Sequence, residues 1–410
     1  MEDWKVVKEN VQLVSGKAFV QTKPDDVLVL CRIRNGEEYI PFFVDHYTQI
    51  GVKHIFFLDN NSTDRTADIA RNYSNVTVLQ TSLPYKQYKM PFISFLLEEY
   101  GKGCWSLIVD CDELFEFPFS SVLSLQDLIE YMEKSGYDAV AGHMLDMFPE
   151  RFDHYNTEAS YKPEAIENHK WYDVTDISSH LLHPVIEDNS WSNFFIPFFK
   201  GGVRKFWFGL DEISLTKFPL VRYRGKLHWE TIHHIKNAKV ADFSTVLLHY
   251  KFRSDYVEFV NQAVFEKNFN RDSRDYKYYQ KKVKQGLQQL KLPPNRQKLE
   301  DVDELISKEV LLVSSAYLEM VLEKFHEKHI TSGGKQDLTD KKKLTEFQQK
   351  LLVVVIQQNK GLERRIKNLG KEYYQEMSIK VKKLKSTQTW KVGSLIVKPL
   401  KGLLGRLLRD

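Results

Sequence analysis

The chain has 410 residues, 42% hydrophobic and 28% charged, which excludes a disordered polypeptide and allows one large domain plus an extension. The formal net charge of +4 is unevenly placed: residues 381–410 hold eight Lys/Arg against one acid, a net +7, leaving −3 for the rest. No apolar run approaches the ~20 residues needed to span a bilayer, and Cys31, Cys104 and Cys111 make neither a disulfide framework nor a metal-site spacing. With no charged-then-apolar leader pattern at the start, these features predict a cytoplasmic, reducing compartment.

Residues 27–32 form a strand-like apolar run. Residues 38–50 place Tyr39, Phe42, Phe43, His46, Tyr47 and Ile50 at helical spacing and stop at Gly51. Residues 54–58 read as a second strand. Ser62, Thr63 and Asp64 supply capping groups for a helix to about residue 73. A strand follows at 76–79, a helix at 91–100, a strand at 105–109, a helix at 125–134 and a strand at 138–145. This alternation predicts an α/β fold with a mainly parallel sheet. Ligands of such sheets bind beyond the carboxyl ends of the strands, and Asp59, Asp110 and Asp112 all fall at such ends. Residues 150–200 are aromatic and irregular, and 255–325 are largely helical in pattern. Ser332-Gly333-Gly334 reads as a linker. After it, Leu344, Phe347, Leu351 and Val354, then Leu362, Ile366, Leu369 and Tyr373, approach heptad spacing, with Gly361 as an interruption.

The segment Trp105-Ser106-Leu107-Ile108-Val109-Asp110-Cys111-Asp112-Glu113 carries the sharpest chemical signal. Residues i and i+2 of a strand point the same way, so Asp110 and Asp112 converge. Paired hard oxygen ligands suit Mg²⁺ or Mn²⁺. Strand-end aspartates are common, so the pair gains meaning from its companions.

Those companions are Cys31-Arg32-Ile33-Arg34-Asn35-Gly36-Glu37-Glu38, Phe57-Leu58-Asp59-Asn60-Asn61-Ser62-Thr63-Asp64, Asp110-Cys111-Asp112-Glu113-Leu114-Phe115, and a later block. That block holds Gly201-Gly202-Val203-Arg204, Lys217-Phe218-Pro219-Leu220-Val221-Arg222 and Leu248-His249-Tyr250-Lys251-Phe252. In this order the segments resemble glycosyltransferase family 2-like proteins of the GT-A fold, nearest a bacterial branch of capsule and surface-polysaccharide loci. The resemblance covers about residues 25–270. It implies a GT-A-type nucleotide-sugar-binding domain at 25–270, followed by a C-terminal α-helical extension, 271–331, and a basic amphipathic tail, 335–410.

The implied activity is metal-dependent transfer of a sugar from a nucleotide-diphosphate sugar, by default a UDP-sugar, to a glycan or lipid-linked acceptor hydroxyl. By the same resemblance Arg32, Asn35 and Glu37 lie near the nucleotide, and Asp59 meets the base or ribose. Asp110 and Asp112 touch ribose and metal (Mn²⁺ or Mg²⁺), and His249 is a late metal ligand. The chain reads Asn35-Gly36-Glu37 where relatives often read Asn-Glu directly, so Glu37 and Glu38 compete for one role.

A departing diphosphate develops negative charge that cations stabilise; Arg204, Lys217, Arg222 and Lys251 are candidates. An inverting reaction needs a carboxylate to take the acceptor's proton. Asp211, Glu212 and Glu230 are possible, with Glu230 preferred for its place in His228-Trp229-Glu230. For His233 and His234 a solvated or packing role outweighs ligation. Trp191 and Trp207 are core residues on statistics and sugar platforms on the alternative reading.

In residues 390–409, Ile396, Val397, Leu400, Leu403, Leu404, Leu407 and Leu408 share one helical face, with Lys391, Lys398, Lys401 and Arg409 mostly off it. Such a helix suits the anionic inner face of a membrane. Nucleic acid is not an expected partner, since the basic charge belongs to no recognised module. Two rival readings remain: a phosphatase of the haloacid dehalogenase type with Asp110 as nucleophile, and a non-catalytic membrane-associated scaffold.

Overall fold

The computed structural model describes residues 3–152, 164–181, 183–193, 196–225, 227–252, 256–267, 270–284, 290–330 and 338–385. The chain divides into two compact units, Met1–Asn359 and Lys360–Asp410. The first is a mixed α/β unit on one large sheet. It opens with α1 (Asp3–Glu9) and β1 (Gln12–Ser15), then β2 (Val27–Ile33), α2 (Ile40–Gln49), β3 (His54–Asp59), α3 (Thr66–Ala70), β4 (Val76–Gln80), α4 (Tyr85–Leu96) and β5 (Trp105–Asp110). Next come β6 (Glu113–Glu116), α5 (Leu125–Ser135), β7 (Ala139–Asp146), β8 (Ser190–Trp191), α6 (Val203–Phe208), β9 (Thr216–Lys217) and β10 (Leu220–Arg222). A hairpin of β11 (His228–Thr231) and β12 (His234–Lys236) precedes the long β13 (Lys239–His249). Helices α7 (Tyr256–Glu266), α8 (Asn270–Val283), α9 (Ser315–Ile330) and α10 (Leu338–Lys385) follow.

The sheet runs β1-β4-β3-β2-β5-β10-β7-β13-β8, with β9 pairing β7 and β6 pairing β13. Strands β4, β3, β2 and β5 are mutually parallel, as are β7 and β13. All seven residues of β2 are buried, as expected for a strand covered on both faces. Helix α2 covers one face with Ile40, Phe43, Val44 and Tyr47, spaced i, i+3, i+4, i+7. Helix α5 does the same with Leu125, Leu128, Ile129 and Met132, and it starts in a capping box of Ser124 and Asp127.

Two departures from simple alternation shape the site. First, β10 inserts antiparallel between β5 and β7. Pro219, just before it, lies against Gly142 of β7, where any Cβ would sit 2.6 Å from the proline ring. Second, β6 turns back directly after β5 and pairs with β13, bringing Glu113 opposite His249. His249 is also opposite Asp146 of β7.

Several element expectations need correcting. The helix at Ser62–Asp64 is short, because Asp64 turns its carboxylate onto Thr66 and α3 begins only there. Helix α4 starts earlier than residue 91 and holds Pro91 inside it. Helix α10 continues through Gly361, since one glycine costs only about 1 kcal/mol in a long helix. The Ser332-Gly333-Gly334 linker and the 390–409 amphipathic face lie outside the described residues. No helix among the described residues is long and apolar enough to cross a membrane.

Candidate active site

The chain runs from β2 outward to β3 and β4, then returns to β5 on the other side of β2. Such a reversal opens a crevice at the carboxyl ends of the two flanking strands. Arg32 of β2 and Asp110 of β5 are register partners at that end. A cavity of about 620 Å³ opens there, bounded by the loops after β2, β3 and β5, by β9, by the β11–β12 turn and by α7.

Asp110 is fully engaged. The Arg32 guanidinium donates to its Oδ1 at 2.8 Å and the Lys217 ammonium to its Oδ2 at 2.8 Å. Lys217 also donates to Glu113 Oε1 at 2.5 Å, and the Glu113 Oε2 accepts from the Asp110 amide at 3.1 Å. Burial opposes ionisation of Asp110, but Lys217 and then Arg32 outweigh it and hold the carboxyl well below the usual range. Glu113 is wholly buried. Burial lifts its carboxyl above the usual range, with Asp110 adding to the rise against the pull of Lys217.

Asp112 has a different set of partners. Its Oδ2 lies 3.2 Å from His249 Nε2, while His249 Nδ1 lies 2.5 Å from Asp146 Oδ1. Arg204 Nε donates to the other Asp146 oxygen at 2.8 Å. Burial disfavours the imidazolium, yet Asp112 and Asp146 together raise the His249 pKa. Against its own burial, Asp146 is held down at about 2 by Arg204 and His249. Asp112, Glu113 and His249 each bring one ligand atom within 4.8 Å of the others. This donor set fits a divalent ion: Asp112 and His249 Nε2 face each other, and His249 Nδ1 is held by a carboxylate, the usual outer support of a metal-bound imidazole. Asp110, with both oxygens on cations, is the less available of the two aspartates.

The remaining candidates are distributed as follows. Asn35 and Glu37 line the cavity and are laced to the loop after β3. Asn35 Oδ1 accepts from the Thr63 amide at 2.8 Å, and Glu37 Oε2 accepts from the Arg65 amide at 3.1 Å. Asp59 is at the same rim but wholly buried and is not among the lining residues. Its oxygens accept from the Ser62 amide at 3.0 Å, the Ser62 hydroxyl at 2.5 Å and the Gln80 amide at 3.1 Å, so it builds the turn. Arg204, Lys217 and Lys251 reach the cavity, whereas Arg222 turns away to Glu133 and the Pro24 carbonyl. Lys251 lies over the rings of Tyr276 and Tyr279, at 5.2 and 5.6 Å.

The structure does not bring the proposed proton acceptors to this place. Glu230 belongs to a hairpin ion-pair group with His234, Lys236 and Asp188, and Asp211 and Glu212 are exposed on the loop after α6. Trp191 and Trp207 are buried, the latter among Phe148, Phe152 and Phe252, which removes them as sugar platforms. Sequence reasoning passed over Asp146, although it ends a strand as Asp110 does. It set aside His233, which lines the cavity, and it did not single out Tyr85 and Tyr276, which line it from α4 and α8.

No protein-family model matches the chain. Over 117 residues it is 27% identical to a glycosyltransferase family 92 protein of Ricinus communis. The match spans 28% of this chain and 21% of that protein's length. The likeness supports a glycosyltransferase in general; it carries neither the family 2 assignment nor the bacterial capsule branch.

Proposed function

We propose that the protein is a glycosyltransferase that moves a sugar from a nucleotide-diphosphate sugar, by default a UDP-sugar, to a glycan or lipid-linked hydroxyl in glycoconjugate synthesis. The observation that carries this reading is the meeting of Asp112 and His249, backed by Asp146, at the reversal point of the parallel sheet. The distant glycosyltransferase likeness points the same way.

Asp112 and His249 would hold Mn²⁺ or Mg²⁺, with Asp110 set aside by its two cations. Bound there, the ion supplies charge compensation to the departing diphosphate. The loops at Asn35–Glu37 and Asn60–Asp64 would seat the nucleoside. Lys251, on two tyrosine rings at the cavity wall, has the reach and charge to meet a phosphate. The acceptor's proton would pass to a carboxylate on the cavity wall, Glu258 being one, rather than to Asp211 or Glu230. The basic tail would keep the enzyme at an anionic membrane face, near a lipid-linked acceptor.

The test is calorimetric titration with UDP, GDP and CDP, with and without Mn²⁺. Metal-dependent binding of one nucleotide supports the reading; no binding of any, with metal present, overturns it.

The role given to Asp146 yields a separate expectation. Asp146→Asn leaves His249 in place but weakens the pull on its Nδ1 proton. Mn²⁺ affinity, followed by the paramagnetic signal of the free ion, should fall about 10- to 100-fold. An unchanged affinity would remove Asp146 from the metal site.

A further inference from the structure

His233 sits in the turn between β11 and β12, and its side chain lines the cavity. Its Nδ1 lies 2.9 Å from the Thr216 carbonyl oxygen. A carbonyl only accepts, so Nδ1 carries the proton and the neutral ring's Nε2 is left as an acceptor. Among the described residues Nε2 has no protein partner, and it is not one of the buried polar atoms lacking one. Its lone pair is therefore accessible, on a residue that lines the cavity. Burial, reinforced by Lys217, pushes the imidazole pKa down to about 3, so the ring stays neutral at working pH.

The position of His233 indicates what it meets. Thr216 precedes Lys217, whose ammonium holds Asp110 and Glu113. In the sheet order, Asp110 ends the strand between the β2–β3 loops on one side and the β10–β7–β13 group on the other. The nucleoside loops, Asn35–Glu37 and Asn60–Asp64, are on the first side. His233 reaches the cavity from the second, attached to β9, which pairs with β7. A nucleotide-sugar whose diphosphate lies at Asp112 and His249 must extend its sugar toward that second side. Sugars present hydroxyl donors, and an unprotonated imidazole nitrogen is a matching acceptor.

We infer that His233 Nε2 accepts a hydrogen bond from a hydroxyl of the transferred sugar and so contributes to donor-sugar selection. The inference rests on the glycosyltransferase reading above and assigns a residue within that site.

The test compares the full-length protein with His233→Asn, whose amide keeps a donor near the Thr216 carbonyl but has no group at the Nε2 position. UDP, GDP and CDP, and the conjugates UDP-glucose, UDP-galactose, UDP-N-acetylglucosamine and GDP-mannose, are titrated in the presence of Mn²⁺. The variant should bind the bare nucleotide as wild type does and bind its sugar conjugate about three- to tenfold more weakly, the value of one hydrogen bond. His233→Gln, which places an amide near Nε2, should recover part of the loss. An equal loss for nucleotide and conjugate would mean that His233 only supports the hairpin, and unchanged affinity for both would remove it from the sugar site. Either result overturns the inference while leaving the transferase reading standing. Failure of the wild type to bind any nucleotide overturns that reading and the inference with it.

Discussion

Asp112→Asn is expected to lose Mn²⁺-dependent nucleotide binding and to slow transfer by about 100- to 1,000-fold, as several kcal/mol of charge stabilisation disappear. The change is isosteric, and the Asp112 backbone carbonyl still accepts from the Tyr250 amide at 2.8 Å, so the local turn survives. The informative control is Asp110→Asn. Its oxygens belong to Arg32 and Lys217, so Mn²⁺ affinity should stay within a factor of about three of wild type (half a hydrogen bond's worth). Direct Mn²⁺ titration of both variants separates the two aspartates. Equal losses of metal in the two would restore the symmetrical Asp-x-Asp ligand pair and sink the distinction drawn from the geometry.

The largest stability effect is expected at Lys217. One ammonium serves two buried or half-buried carboxylates, Glu113 with no exposure and Asp110 with its side chain 30% exposed. Lys217→Met fits the aliphatic stem but leaves Glu113 without its cation. Breaking a buried pair from one side costs about 3–5 kcal/mol, because the remaining charge is desolvated and uncompensated. The urea midpoint at pH 7.5 should fall accordingly. Adding Glu113→Gln should return part of the loss, since the second change removes the stranded charge. The pH dependence has a definite sign. Glu113 already titrates above its usual range, and without Lys217 it does so further. A raised folded-state pKa means that the folded form binds the proton more tightly, so the variant's deficit is full above that pKa and shrinks as pH falls toward the usual glutamate range. An unfolding free energy within about 1 kcal/mol of wild type at pH 7.5 would show that Glu113 does not depend on Lys217 for its compensation.

The parallel half of the fold was legible because each of its elements satisfies a local rule. Residues 27–33 and 54–59 are apolar runs of strand length, and 125–135 carries an amphipathic stripe bounded by Ser124 and Gly136. The rim followed from these, since parallel strands send their carboxyl ends the same way. Asp59 and Asp110 end β3 and β5, and Asp112 follows in the turn after β5. What each does was not legible, because a carboxylate's role depends on which donors reach it. Asp59 is consumed by Ser62 and Gln80, Asp110 by Arg32 and Lys217, and only Asp112 meets an imidazole.

The residues misplaced by sequence reasoning share a physical cause. Glu230 and His233 are three positions apart on one hairpin, yet one joins the Asp188 ion pairs and the other enters the cavity. Strand alternation in so short a hairpin, with a register shift between Trp229 and Thr231, gives no local signal for which side faces inward. Asp146 acquires its role only when β7, β13 and β6 are aligned, bringing together residues 103 and 136 positions apart in the chain. By itself, then, the sequence determined the parallel strands, the rim and the acidic motif, because periodicity, capping and strand length act over a few residues. The partition of that motif into a cation-bound Asp110 and a histidine-bound Asp112 was decided by tertiary structure alone, because Lys217, His249 and Asp146 arrive through sheet pairing between distant strands.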